Sequence, residues 1–176
     1  CEVAPHHLFL SQEDLPHLSP GRKMVSPPLN SAADRQALWE NLDVIDCIAS
    51  DHAPHTPDEK DSANPPPGFT GLETTLPLLL TAVGQKRLSI EDVIQKMFTN
   101  PRRIFSVPQQ RDTWVEIDEN LSYEIRGADL QTKVKWTPFE GWQGKGKVTR
   151  VMIRGEIDYQ DGEVQVDPGF GKNIRD

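Results

Sequence analysis

The chain has 176 residues, of which 36% are hydrophobic, and its formal net charge is −8. This acidic balance argues against nucleic acid as a partner, because nucleic acids attract basic surfaces. There is no apolar run long enough for a membrane span and no signal peptide, so we expect a cytoplasmic protein that does not bind membranes. The two cysteines, Cys1 and Cys47, are too few for the disulfide framework of a small secreted domain.

The opening segment, CEVAPHHLFL, reads as a short strand that Pro5 ends near Ala4. Cys1 enters this strand without a Met, a cap or a turn, so we expect a fragment of a longer polypeptide. His6 and His7 then fall in a transition from strand to loop. Hydrogen-bonded structure is the favoured role for both, and alternate strand residues face opposite sides, so both cannot point into one site.

Two capping serines and an apolar run predict the next two helices and a buried strand. Ser11, with Asp14 three residues on, predicts a short helix, and Ser31, with Asp34, predicts an amphipathic helix of about three turns. The apolar run at 44–49 is typical of a strand buried on both faces of a parallel sheet. Strand, helix and buried strand make a βαβ unit, so the predicted fold class is α/β.

A long loop follows, with prolines at 65–67 and then Gly68, and we expect it to fold over the strand ends. LETTLPLLLTAVGQK predicts a helix with Pro77 in its first turn, and SIEDVIQKMFTN predicts a second helix capped by Ser89. NPRRIF should restart the chain at a proline-led turn. From about Val107, alternating residues and glycine turns predict a small antiparallel sheet without catalytic residues.

The apolar run at 44–49 ends in a carboxylate and two imidazoles, ASDHAPH. At the mouth of a parallel strand, Asp51 could hold a divalent metal through one oxygen and accept a proton from metal-bound water through the other. The metal lowers the pKa of that water from about 16 towards about 7, so a weak base suffices. His55 is placed to bind an anionic substrate. The competing interpretation of Asp51 is a helix cap or a structural carboxylate.

The combination ASDHAPH, PPPGFTGLETTLPLLL, NPRRIF and WTPFEG resembles the dihydroorotase family of the amidohydrolase superfamily. The resemblance covers essentially the whole chain and is strongest to the animal multifunctional proteins that also carry carbamoyl-phosphate synthetase and aspartate transcarbamoylase. It implies the C-terminal portion of a (β/α)₈ TIM-type metallo-hydrolase barrel at 1–106. A small antiparallel β-sandwich module at 107–170 and the start of a linker at 171–176 would follow.

The resemblance also implies an activity, the reversible zinc-dependent cyclisation of N-carbamoyl-L-aspartate to L-dihydroorotate in pyrimidine biosynthesis. A hydroxide-bridged pair of zinc ions would act at the ring amide carbonyl, with a third zinc in the animal enzymes. The implied partners are the small-molecule substrate, the two neighbouring enzyme domains and a second copy of the protein in a homo-oligomer.

Five positions take site roles from this resemblance. Asp51 matches the zinc ligand that carries the proton, and Glu2 matches an acid associated with the additional zinc. His55 matches the histidine that contacts the substrate carboxylate, and the backbone around Pro67 and Gly68 matches the loop that binds the substrate ring. The two adjacent histidines near the start match a family motif, without a ligand role.

The chain departs from the family pattern in two ways. Ser26 stands before Pro-Pro-Leu, where the family presents Asn or Arg to the substrate, and a hydroxyl cannot form a bidentate charged clamp. The family's His-x-His is absent among the 5 histidines, and its carboxylated lysine and two further histidines have no match. We therefore expect the isolated chain to be inactive and to bind zinc weakly. A non-catalytic scaffold domain and another cyclic amidohydrolase, such as a hydantoinase or allantoinase, remain alternatives.

Overall fold

The computed structural model describes residues 1–175, and residue 176, the last of the predicted linker, lies outside them. The helices are α1 (Pro5–Phe9), α2 (Ala32–Glu40), α3 (Pro57–Lys60), α4 (Thr75–Gly84), α5 (Ile90–Ile94) and α6 (Asn100–Ile104). The strands are β1 (Glu2–Val3), β2 (Cys47–Ile48), β3 (Trp114–Glu124), β4 (Gln143–Ile153), β5 (Glu156–Gln160) and β6 (Glu163–Val164). Strands β1 and β2 pair in parallel, whereas β3 to β6 form one antiparallel sheet in chain order.

The first strand ends before Pro5, as predicted, but the segment after it is a helix rather than a loop. Pro5 is the first residue of α1, where its missing N–H would have had no helical partner. The N–H groups of His7 and Leu8 donate to the carbonyl of Ala4 at 3.0 and 3.3 Å. His6 and His7 therefore lie on one short helix, and the strand-to-loop prediction for them is wrong.

The buried strand is shorter than the apolar run at 44–49 predicted. Val44 closes a 3₁₀ turn and is 66% exposed, and strand pairing begins only at β2. The buried Lys96 side chain donates to the carbonyls of Leu42 and Ile45 at 2.8 and 2.6 Å. The backbone just before β2 is thus bonded to a distant lysine, a contact that a pattern of apolar residues does not reveal.

All three capping predictions, at Ser11, Ser31 and Ser89, are confirmed, although one capped turn is a 3₁₀ helix. The Ser31 side chain accepts from the Asp34 N–H and begins α2. Ser11 forms the same box with Asp14 around a 3₁₀ turn. In α4, Pro77 lies in the first turn as predicted, and this helix supplies much of the core through its buried leucines.

The predicted restart at NPRRIF is wrong, because α5 continues into α6 through a π-helical turn at Gln95–Thr99. In a regular helix Pro101 would lack an N–H for the carbonyl of Met97 and would crowd it. The wider π turn accommodates this proline without ending the helix.

The predicted antiparallel sheet and its turns are confirmed. Arg154 and Gly155, between β4 and β5, have φ of 53° and 79°, and Asp161 and Gly162, between β5 and β6, have φ of 50° and 104°. Two successive positive values are the signature of the type I′ turn that suits tight hairpins. Strand β4 packs on α4, where a Cβ added at Gly146 would lie 2.4 Å from a leucine methyl carbon.

These elements confirm the α/β class. The barrel, the β-sandwich and the boundaries at 106 and 170 stay predictions, because two short parallel strands and one antiparallel sheet are the sheets found among residues 1–175. Over the same residues, the helices all fall short of the length and apolar character that crossing a bilayer requires.

Candidate active site

The candidate site lies where the two parallel strands end. Val3 is opposite Ile48, so β1 and β2 present their C-terminal ends at one edge. His6 follows the first strand and Asp51 follows the second, and Nε2 of His6 lies 3.7 Å from Oδ2 of Asp51. This separation exceeds a hydrogen bond but places an imidazole directly beside the predicted carboxylate.

His6 is a site residue that the sequence interpretation missed. Its side chain is 2% exposed, and Nε2 has no hydrogen-bond partner among residues 1–175. Burial, with a smaller effect of the neighbouring His7, lowers the pKa of His6 to about 3, so the ring is neutral at physiological pH. His7 is structural instead, since its Nε2 meets the carbonyl of Pro27 at 3.0 Å. The sequence does hint at this role, because His6 comes soon after the first strand, as Asp51 comes soon after the second.

Asp51 has a left-handed backbone, with φ of 46°, and a side chain that is 47% exposed. Aspartate tolerates this conformation better than most residues, and such backbone strain clusters at functional sites. In the described part of the chain no hydrogen bond is made to its carboxylate. Both oxygens are therefore available to a metal, a water molecule or a substrate.

The backbone after Asp51 is held by the proline-rich loop. The N–H of Ala53 donates to the carbonyl of Phe69 at 2.9 Å. Nδ1 of His52 accepts from the backbone N–H groups of Gly71 and Leu72 at 3.2 and 3.3 Å. His52 thus has a structural role, because it anchors the loop at the start of the segment leading into α4.

The predicted substrate residues lie around this loop. Gly68 is buried, with φ of 144°, and its N–H donates to the carbonyl of Met24 at 3.0 Å. A Cβ at Gly68 would lie 2.6 Å from the carbonyl oxygen of Ala53 and 3.3 Å from the His55 ring, so the two loop segments touch. Ser26 and Pro67, close in sequence to this contact, are exposed.

His55 and Glu2 are less closely tied to Asp51. The carbonyl of His55 accepts from the Trp136 indole N–H at 2.7 Å, and its Nδ1 lies 4.0 Å from Oε2 of Glu59. Glu2 is exposed and pairs across the sheet with Cys47. Among residues 1–175 neither His55 nor Glu2 hydrogen-bonds to Asp51, so the roles assigned to them stay predictions.

Lys60 is a second residue that the sequence interpretation missed. The predicted loop contains the short helix α3, and Lys60 at its end is 0% exposed. Its ammonium donates to the carbonyls of Met24, Pro66 and Gly68 at 2.8, 2.9 and 3.1 Å. A lysine in a polar segment is normally solvated, so its sequence context carries no sign of this burial.

Metal-binding side chains are few at the ends of the two parallel strands. Among residues 1–175, no three His, Cys, Asp or Glu side chains lie close enough together to hold a metal ion. Asp51 and the neutral His6 could each donate one ligand, whereas a catalytic zinc site takes three protein ligands. The donors are of the right chemical type for zinc, but their number requires further residues.

No protein-family model matches the chain, but individual known proteins do. The chain is 55% identical over 175 residues to the multifunctional protein CAD of Squalus acanthias, covering 99% of this chain and 8% of that protein. It is 43% identical over 169 residues to the dihydroorotase of Pyrococcus furiosus, covering 93% of this chain and 40% of that enzyme. The chain is homologous to part of a dihydroorotase. It spans less than half of either relative.

Solved structures support the amidohydrolase fold. An L-hydantoinase (dihydropyrimidinase) from Arthrobacter aurescens matches with a TM-score of 0.90 at 31% identity, covering 98% of this chain and 42% of that one. The inactive dihydroorotase-like domain of a CAD-like multifunctional protein from Chaetomium thermophilum matches with a TM-score of 0.73 at 32% identity, covering 96% and 46%. The chain therefore resembles both a hydantoinase and a dihydroorotase-like domain described as inactive.

Proposed function

We propose that this chain is the C-terminal portion of a dihydroorotase, which interconverts N-carbamoyl-L-aspartate and L-dihydroorotate in pyrimidine biosynthesis. The observation that carries the proposal is the unengaged carboxylate of Asp51 at the shared end of two parallel strands, beside the buried His6. Residues 1–106 would complete a (β/α)₈ barrel, 107–170 would belong to a β-sandwich, and 171–176 would begin a linker.

Asp51 would move the proton in this reaction. In hydrolysis its carboxylate accepts a proton from the attacking water and delivers it to the ring nitrogen as the amide C–N bond breaks. Cyclisation runs the same transfer in reverse. A zinc pair, held in part by Asp51, would polarise the carbonyl and lower the pKa of the attacking water, and Glu2 would help to hold an additional zinc.

The remaining residues would hold the substrate. His55 and Ser26 would contact its carboxylate, and the backbone at Pro67 and Gly68 would contact its ring. The left-handed Asp51 and the contact between Gly68 and Ala53 support a prearranged site. Ser26 offers one hydroxyl and no charge, so His55 would carry most of the electrostatic recognition.

The proposed setting is a cytoplasmic multifunctional protein with carbamoyl-phosphate synthetase and aspartate transcarbamoylase domains, assembled as a homo-oligomer. The similarity to the multifunctional protein CAD over 99% of this chain supports the neighbouring domains. The net charge of −8 favours a small-molecule substrate over a nucleic acid.

Two alternatives have specific support. Likeness to an inactive dihydroorotase-like domain, together with Ser26, favours a scaffold. Likeness to an L-hydantoinase favours another cyclic amide as substrate.

Turnover by the full-length protein separates these functions. We expect hydrolysis of L-dihydroorotate that is lost on zinc chelation and restored by zinc, with much slower turnover of hydantoin and allantoin. No turnover of any of the three would favour the scaffold, and a preference for hydantoin or allantoin would contradict the proposed substrate.

A further inference from the structure

Among residues 1–175, the buried charge of Lys60 has no carboxylate partner. Its ammonium, in a side chain with 0% exposure, meets the carbonyls of Met24, Pro66 and Gly68 at 2.8–3.1 Å. The ring centroids of Phe69 and Trp136 lie 5.8 and 6.0 Å from Nζ. Burying an ammonium is costly unless its donors are satisfied, and here three carbonyls and two aromatic rings compensate it.

The acceptors of Lys60 belong to two different loops. Met24 precedes Ser26 by two residues, whereas Pro66 and Gly68 flank Pro67. The Gly68 N–H also donates to the Met24 carbonyl at 3.0 Å, so the two loops are bonded to each other as well as to the ammonium. A single charge therefore joins the segments that carry three of the proposed substrate contacts.

We propose that Lys60 is a positioning residue for the substrate, because it holds the Ser26 loop and the Pro67–Gly68 backbone in their binding geometry. This inference rests on the proposed function. Lysine suits the task since its ammonium directs three donors from one point, whereas the planar guanidinium of arginine directs its donors in a fork. Burial lowers the pKa of Lys60, and the carbonyl acceptors require the protonated form.

The test compares Lys60→Met with Lys60→Arg in the full-length protein, with Lys172→Met as the control. Lys172 is exposed and distant in sequence from both loops. Lys60→Met should lower kcat/KM for dihydroorotate by about 10- to 100-fold, mainly through a higher KM, because misplacing a binding group by about 1 Å can cost that much. Lys60→Arg keeps the charge and should recover part of the loss, and Lys172→Met should change KM less than about twofold.

Amide hydrogen exchange supplies a second readout that does not depend on activity. In Lys60→Met, peptides covering 20–28 and 62–70 should exchange faster, while peptides from α4 keep their wild-type protection. Unchanged KM together with unchanged exchange in both loops would overturn the positioning role, and so would an equal loss of protection throughout the chain with normal KM.

If Lys60→Met does not fold, KM and amide hydrogen exchange are measured instead on Lys60→Gln, which keeps two N–H donors, and the same outcomes apply. The two proposals also fail in different ways. A wild-type protein that does not hydrolyse dihydroorotate would remove the proposed function and with it the substrate role of Lys60. The exchange measurement would still decide whether Lys60 joins the loops.

Discussion

Replacing Asp51 by asparagine in the full-length protein should lower dihydroorotate turnover by about 1,000-fold or more, because general acid–base transfer alone contributes about 10²–10⁴. Asparagine also tolerates the left-handed backbone, where φ is 46°, so the fold should be unaffected. Its amide oxygen can still approach a metal, but it cannot accept the proton. We therefore expect near-normal zinc content with little activity, whereas Asp51→Ala should lose both.

The matched control is Asp58→Asn, which changes an exposed aspartate near the start of α3. Its rate should stay within about twofold of wild type, as expected for a surface substitution. The measurements are steady-state kinetics in both directions and zinc per chain by elemental analysis. An Asp51→Asn protein that keeps more than about a tenth of the wild-type rate would show that another group carries the proton.

Replacing Gly21 by alanine should destabilise the fold by about 3 kcal/mol, the upper part of the usual range for overpacking. A Cβ at Gly21 would lie 1.8 Å from the backbone oxygen of Lys60 and 2.8 Å from Cβ of Pro65. Backbone atoms cannot rotate away as side chains can, so the helix α3 and the loop after it must shift. This shift would also move the Lys60 ammonium away from its acceptors.

Gly171→Ala is the control, because nothing lies within 4 Å of a Cβ there and its backbone does not require glycine. We expect the half-inactivation temperature of the full-length protein to fall by roughly 5–10 °C for Gly21→Ala and to stay within about 2 °C for Gly171→Ala. Equal temperatures for the two variants would mean that the close approach at Gly21 relaxes freely.

The features that the sequence predicts well are local. Ser31 with Asp34 begins a helix because the two side chains satisfy N–H groups within one turn. Gly155 and Gly162 mark hairpins because the turns need a positive φ. The position of Asp51 just beyond the C-terminal end of a parallel strand could be predicted because it follows an apolar run, whereas its catalytic role stays a prediction.

The features that it misses depend on contacts between distant segments. Lys96 donates to the carbonyls of Leu42 and Ile45, 54 and 51 residues away, just before the buried strand, which is shorter than predicted. Lys60 is buried by loops whose approach no local pattern encodes. His6 faces Asp51 across 45 positions of sequence because two strands run parallel. From sequence alone, charged and polar residues such as these are expected to be exposed to solvent, because most residues of their types are.

The most direct test of the central claim compares zinc content and dihydroorotate turnover in the isolated 176-residue chain and in the full-length protein. Asp51 and His6 supply too few ligands, so the isolated chain should retain little zinc after dialysis and show no turnover. The full-length protein should hold a zinc pair and hydrolyse dihydroorotate. A stoichiometric zinc pair with turnover in the isolated chain, or a full-length protein lacking both, would contradict the claim that Asp51 acts within a site completed by residues outside this chain.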